Sequence, residues 1–343
     1  CCAPLARFVQ NPENPMYNLY KPPKILDTFC TKHANLRENR FGRSIMQNVG
    51  IVGIGDMGSG LAKNLIAAGF TVYGHDLKPD RMADFVAMGG HACSSAGEVG
   101  AACEAAFVMV MNGDEARDVL FGSGNNGLAN SLPSGGCLLL TATIKPKEAR
   151  GLAVTLEAMD LHIIDSPVSG GQPGAHGGTL TLMAAGTDAA MAAAHPAMDA
   201  VSGTIHHVGT EFGMGQTVKA CLQSLIGSIF AGAFESTTLA AKAGVPGQVL
   251  YDVFSTSAAG CGITRAAIGA VIERKFEKTG SHINTMHKDL TISMDLAMDL
   301  GVPLFTAGTA MQLFQAGRTM FPDGDNQVVA RVSETIVGTG LEK

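Results

Sequence analysis

The sequence predicts an α/β N-terminal Rossmann-type doubly wound sheet followed by an all-α C-terminal domain, the two joined by a long interdomain helix. Three observations carry this. From residue 48 to about 210, short apolar runs alternate with segments of helical period, as strands linked by crossover helices do. Near residue 212 the strand signals stop and helical patterns continue to the end. Between the two lies a stretch of about 30 residues, 213–243, rich in Ala, Gly, Ser, Leu and Ile and ending at Gly244 with Pro246 beyond it. At 1.5 Å per residue it spans roughly 45 Å, and its small apolar surface predicts burial between two domains and a partner subunit. The expected divisions are therefore 1–47, 48–211 and 212–338.

Composition narrows the classes. With 343 residues and 46% hydrophobic content the chain can bury two cores. No apolar run approaches the roughly 20 residues of a membrane span, so a soluble protein without a membrane partner is expected. A net charge of −6, no Trp and no basic stripe argue against nucleic acid and favour a small-molecule partner. The eight cysteines form no C-x-x-C pair, and Cys93, Cys103, Cys137 and Cys221 lie in or beside apolar runs. They read as reduced core residues of a cytoplasmic protein. The ten histidines show no H-E-x-x-H or comparable spacing, and no metal is assigned.

Residues 1–47 stand apart, with five prolines and a charge of +4, so that the remainder carries −10. A disordered or non-native extension is expected there. A mitochondrial presequence is the alternative, but Glu13, Asp27, Glu38 and the prolines spoil the acid-poor amphipathic helix that it needs.

The first strand signal, Val49, Ile51, Val52 and Ile54, stops at Gly53, Gly55 and Gly58, and a helix is expected over 58–68. The spacing is G-x-G-x-x-G. One glycine makes the turn, the second admits a pyrophosphate to the backbone and the third lets helix pack on strand, with free N–H groups facing the diphosphate. A close-packed turn without a ligand is the alternative. A second strand over 71–75 ends at Asp76, 18 residues beyond Gly58 and near the distance at which a carboxylate meets the ribose hydroxyls. Such a carboxylate repels a 2′-phosphate, and Leu77 and Lys78 follow where an arginine would neutralise one, which favours NAD over NADP. A solvated turn aspartate is the other reading.

Further strands are expected over 107–111, 136–141 and 161–165. Ligands bind beyond the carboxyl ends of such strands, which singles out Asn112, Thr143 and the loop after Asp165. Asn112 and Thr143 serve equally well as helix caps. The loop Ser166-Pro-Val-Ser169-Gly170-Gly171 offers consecutive N–H groups and a hydroxyl to an anion, or is simply a turn into a strand over 179–184.

In the helical half, Lys219 is the only cation in the first two turns of the long helix, and Gln223 lies one turn on along the same face. Burial would lower the lysine's pKa toward the range useful for proton transfer. A snorkelling surface lysine is the alternative. Further helices are expected over 282–300, 304–319 and 326–337. In the first of them Lys288-Asp289 is a further cation for a phosphate or carboxylate, or else an exposed ion pair.

Taken together, Gly53-x-Gly-x-Met-Gly58, Asp165-Ser-Pro-Val-Ser-Gly-Gly171 with Gly178-Thr-Leu-Thr181, Gly213-x-Gly-x-x-x-Lys219 and Lys288-Asp289 resemble the β-hydroxyacid dehydrogenase family over residues 48–337. The family includes 3-hydroxyisobutyrate dehydrogenase and tartronate semialdehyde reductase. The resemblance implies that Lys219 is the general acid/base and that Ser169, Gly170 and Gly171 hold a substrate carboxylate, with Gln223 beside them. It implies a cofactor site of Gly53, Gly55, Asp56, Met57, Gly58, Asp76, Met111, Asn112, Thr143 and Lys288, and a homodimer or homotetramer built through the helical domain. Gln223, where most of the family has asparagine, looks like the L-threonate dehydrogenase branch, as do Asn112 and Val119-Leu-Phe-Gly122. Ala142 and Cys261-Gly262 depart from the serine and the Asn-Ser of the pattern, which leaves the exact sugar acid open. The expected reaction is NAD-dependent oxidation of a short hydroxy acid, first a four-carbon sugar acid such as L-threonate, with 3-hydroxyisobutyrate or tartronate semialdehyde turnover as the alternative. A non-catalytic dinucleotide-binding scaffold is the rival of another class.

Overall fold

A computed structural model describes residues 46–124 and 126–341. The expectation for the N-terminal extension falls, up to residue 45, outside the described residues.

The β-branched run forms β1 (Asn48–Val52), buried from Val49 onward, and passes through the glycine turn into α1 (Asp56–Ala67). This helix starts two residues earlier than expected, because Gly58 belongs to its first turn: a Cβ there would stand 1.9 Å from the carbonyl oxygen of Gly53. There follow β2 (Thr71–His75), α2 (Pro79–Ala87), β3 (His91–Ala92), α3 (Ala96–Ala102), β4 (Ala105–Val108), α4 (Gly113–Phe121), α5 (Leu128–Ser131), β5 (Cys137–Leu140), α6 (Pro146–Leu156) and β6 (His162–Asp165). Strand β4 lies nearer the N-terminus than expected, since its first half is Ala105 and Ala106, fully buried but too small to give a strong apolar signal. The six strands run parallel in the order β3-β2-β1-β4-β5-β6, so the winding reverses between β1 and β4. Two apolar clusters cover the two faces. One gathers Leu61, Leu65, Ala194 and Met198 of one helix layer, the other Val99, Ala116, Leu120 and Leu152 of the opposite layer.

The sheet is not parallel throughout. After β7 (Val168–Ser169) and α7 (Gly171–Gly177), β8 (Leu180–Ala185) runs antiparallel to both β6 and β7, and after α8 (Asp188–Val201) β9 (Ser202–Gly209) joins it in parallel. Between β7 and β8 the chain through α7 is shorter than the dozen or more residues of a parallel crossover, and an antiparallel return needs none.

The helical half begins with α9 (Met214–Lys242), followed by α10 (Gly247–Thr256), α11 (Gly262–Ile272), α12 (Ile283–Leu300), α13 (Phe305–Met320) and α14 (Val328–Val337). All five later helices pack on α9. Its Phe230 stacks on Phe234 at 5.6 Å between ring centroids and meets Phe314 of α13 edge-on at 6.3 Å. At Gly227 the backbone of α9 comes so close to α12 that a Cβ would stand 2.7 Å from Leu290. By length and composition α9 is apolar enough to cross a membrane, which corrects the expectation that no run reaches that size. In this fold its apolar side is the spine of the helical domain.

Candidate active site

The glycine turn lies at the carboxyl end of β1, beside the reversal of the winding. Gly53 has φ +91°, and a Cβ there would stand 2.3 Å from Met109 O, so only glycine fits the turn. Gly55 caps α1 from an extended backbone, and Asp56 and Met57 open the helix. Asp76, at the end of β2, accepts from Ile54 N at 2.7 Å through Oδ2 and from Lys78 N at 2.9 Å through Oδ1. It is thereby fixed against the glycine turn rather than free in a solvated one. Arg81, the third residue of α2, belongs to no motif in the sequence. Its guanidinium stands 3.8 Å from Asp76 and 3.9 Å from Asp56, against the backbone of Gly55. The available signal was its position five residues beyond Asp76, in the first turn of the next helix.

Beyond β4, Met111 is exposed, and its N–H donates to Glu115 Oε2 at 3.0 Å. Asn112 is the N-cap of α4, accepting from Glu115 N at 2.9 Å, so the capping alternative holds at this position. Thr143 caps nothing, for α6 starts at Pro146; instead its carbonyl accepts from Lys288 Nζ of α12 at 2.6 Å. This bond links the sheet half to the helical half.

Around it sits a buried polar cluster. Lys219 on α9 is 6% exposed, which removes the snorkelling alternative, and Gln223 and Asp289 are buried with it. Gln223 Nε2 donates to Asp289 Oδ2 at 2.5 Å. Lys288 Nζ stands 2.9 Å from Asp289 Oδ1, close enough for an ion pair but not aligned as a hydrogen bond, and that oxygen has no hydrogen-bond donor. Lys288-Asp289 is therefore not an exposed ion pair. Burial pushes the Lys219 ammonium below the ordinary lysine range; Asp289 opposes the shift and Lys288 adds to it.

Ser169 closes β7 opposite Thr181, and Gly170 (φ +132°) and Gly171 (φ +58°) turn the chain into α7. Asn64 of α1 holds this helix by donating to Ala175 O at 2.7 Å. On the other side, Gln172 lies against Gly280 of the helical half. Before the loop, Asp165 is fully buried and accepts from Gly213 N at 2.9 Å, Gln216 N at 3.0 Å and Gln216 Nε2 at 2.7 Å. Gln216 Nε2 also donates to Ala142 O at 2.9 Å, and its Oε1 accepts from Ile144 N at 3.0 Å. Burial raises the Asp165 carboxyl to about 6, against the pull of its N–H donors. No motif in the sequence marks Gln216; its one local signal is an amide in the first turn of α9, three places before Lys219. His206 and His207 lie within β9, and among the described residues no group of three or more His, Cys, Asp or Glu is placed to hold a metal ion.

Residues 48–209 match the family described as the NAD binding domain of 6-phosphogluconate dehydrogenase, and residues 213–333 that described as NAD-binding of NADP-dependent 3-hydroxyisobutyrate dehydrogenase. Over 297 residues the chain is 33% identical to L-threonate dehydrogenase of Escherichia coli (strain K12), covering 86% of this chain and 97% of that protein. The chain belongs to the β-hydroxyacid dehydrogenase family. Another relative, mitochondrial 3-hydroxyisobutyrate dehydrogenase of Mus musculus, is 28% identical over 78% of this chain and 81% of its own length. A crystal structure described as 3-hydroxyisobutyrate dehydrogenase, from Salmonella typhimurium, superposes with a TM-score of 0.76 at 33% identity, covering 83% of this chain and 99% of that one. This β-hydroxyacid dehydrogenase has an NAD(P)-binding domain, and its glycine turn fits a dinucleotide. Gly53 and Gly58 leave no room for side chains, whereas at Gly55 the nearest atoms are the movable end of Arg81, so a diphosphate can reach the backbone there.

Proposed function

We propose that the protein is an NAD-dependent dehydrogenase that oxidises a short hydroxy acid, preferring a four-carbon sugar acid such as L-threonate, with Lys219 as general acid/base. The observation that carries this reading is the burial of Lys219 beside Asp289, which holds an amine below its ordinary pKa while leaving it one carboxylate neighbour. Ser169 with the N–H groups of Gly170 and Gly171 would take the substrate carboxylate. Lys219, neutral in the oxidising direction, would accept the hydroxyl proton as the carbinol carbon becomes a carbonyl, and return it in reverse. Gln223, whose Nε2 is committed to Asp289, has its Oε1 to orient the hydroxyl or the ammonium. The bound nicotinamide supplies the hydride acceptor. Gly53, Gly55, Asp56, Met57 and Gly58 would hold the diphosphate, and Asp76 the ribose. Met111 and Asn112 would flank the dinucleotide beyond β4, and Thr143 and Lys288 the nicotinamide end.

The preference for NAD rests on Asp76, whose charge disfavours a 2′-phosphate; Arg81 works in the opposite sense. The name of the L-threonate relatives supports the choice of acid, and the name given to the Salmonella protein makes 3-hydroxyisobutyrate the second reading. Division near residue 212 and assembly through the helical domain complete the proposal. The exposed Leu225, Leu239, Phe305 and Ile336 support assembly, and sedimentation as a monomer would remove that part.

Dinucleotide reduction followed at about 340 nm with a panel of C3 and C4 hydroxy acids tests the reading. Turnover should be fastest with L-threonate. A silent wild type with every acid would leave the non-catalytic scaffold. Lys219→Ala should lose at least about a thousandfold in kcat while still binding NADH, a loss within the range that general acid–base groups contribute; a near-normal rate would sink the assignment of Lys219.

A further inference from the structure

The bonds of Gln216 converge from three segments that carry different parts of the proposed site. Ala142 O and Ile144 N flank Thr143, Asp165 precedes the Ser169 loop, and Gln216 itself sits three residues before Lys219 on α9. Gln216 is 1% exposed and Asp165 fully buried, so none of these bonds is shared with bulk solvent. Their polarity allows one arrangement. Ile144 N can only donate, which fixes Oε1 toward it; Ala142 O and the Asp165 carboxylate can only accept, which fixes Nε2 toward them. A flipped amide would set donor against donor and oxygen against oxygen. Asp165 Oδ2 meanwhile takes the first free N–H groups of α9, from Gly213 and Gln216, so a negative charge stands at the positive end of a 29-residue helix. The packing has no slack nearby: a Cβ on Gly215 would stand 2.4 Å from Met183 O and 2.7 Å from Asp165 O.

We propose that Gln216, anchored by Asp165, is a positioning residue that sets the axial place and rotation of Lys219 against the Thr143 and Ser169 loops. The inference rests on the reading of Lys219 as the acid/base. The coupling of the two residues is geometric: a rotation about the axis of α9 that moved Lys219 would also carry Gln216 away from Ala142 and Ile144.

The test compares wild type with Gln216→Met, which keeps length and volume but makes none of the bonds, and with Gln216→Glu, which keeps the Ile144 bond but turns an oxygen toward Ala142 O and Asp165. Two readouts are taken. One is kcat and KM for the best hydroxy acid, with the dissociation constant for NADH measured alongside. The other is the rate at which an amine-acylating reagent labels Lys219 as a function of pH, located by mass spectrometry, which needs no substrate. Both variants should lose about a hundredfold in kcat with KM and NADH binding within about threefold, and the Lys219 labelling profile should move by at least about one pH unit toward that of an exposed lysine. A merely structural role would lower the melting temperature and leave the labelling profile in place. If wild type turns over no acid, the proposed function fails and the labelling profile alone decides the positioning. If either variant folds and keeps both kcat and profile, the proposal is wrong; if Gln216→Met does not fold, Gln216→Glu decides.

Discussion

Among the described residues Asp289 is the carboxylate that raises the pKa of Lys219, against burial and Lys288, which lower it. Asp289→Asn keeps an oxygen for Gln223 Nε2 and removes the charge, so the lysine should lose its proton more readily. Oxidation needs the neutral amine. The acid limb of kcat/KM should therefore move to lower pH in the variant, and the basic limb of the reverse reaction should move the same way. Limbs that stay in place, or move up, would show that Asp289 does not act on Lys219. At the cofactor end, Asp76→Ala should narrow the ratio of NAD to NADP efficiencies roughly tenfold, about 1.4 kcal/mol, because the carboxylate that repels a 2′-phosphate is gone while Arg81 remains, opposed by Asp56 alone of its two carboxylates. An unchanged ratio of kcat/KM values would count against a ribose role. At this scale the sequence was legible in part. Lys219, Gln223 and Lys288 were marked by residue type and spacing, but no local spacing joins Asp165 to Gly213 or Ile144 to Gln216, since those bonds cross 48 and 72 residues of chain.

Among the elements, α1 and α9 place the two ends of the reaction. Gly58→Ala should cost more than an ordinary helix substitution, because the nearest atom to the new methyl is a backbone oxygen at 1.9 Å, which cannot swing aside as a side chain can. Either α1 shifts away from β1 or Gly53 rotates, and both open the diphosphate cradle. NADH affinity should fall at least tenfold by fluorescence titration; retained affinity would mean that the turn has more freedom than its contacts allow. Strands β1, β2, β5 and β6 were legible because each holds a short β-branched or leucine run, which in β1, β2 and β6 stops at a glycine or aspartate. Strand β9 gives only a weak signal, because its residues are half-buried or exposed and it joins only β8, so it carries no long apolar run. Helix α8 was obscured by its alanines and by Pro196 in its interior. The strands β3 and β7 have two residues each, too few for any period to show.

For the whole molecule, Asp165 ties stability to pH. Its carboxyl titrates near 6 when folded and near the ordinary 3.8 when the chain is unfolded. Between those values the folded protein holds a proton that the unfolded chain has released, so this group's contribution falls as pH rises through the window. The slope is at most about 1.4 kcal/mol per pH unit, and the ionised group costs roughly 3 kcal/mol at neutral pH. Urea denaturation of wild type and Asp165→Asn at about pH 4.5 and pH 7 isolates it. Wild type should lose stability relative to the variant as pH rises, and an opposite or absent difference would contradict the raised pKa.

The long helix spans the same scale. Gly213, with φ +98°, is its inner end, and Lys219 lies only about 9 Å along it, whereas Lys242 lies about 43 Å away. A swing of about 10° pivoting at Gly213 moves the lysine by about 1.6 Å and the outer end by almost 8 Å. The place of the reacting amine is therefore set by the few bonds at the inner end of α9, and the same small angle counts almost five times more at the outer end.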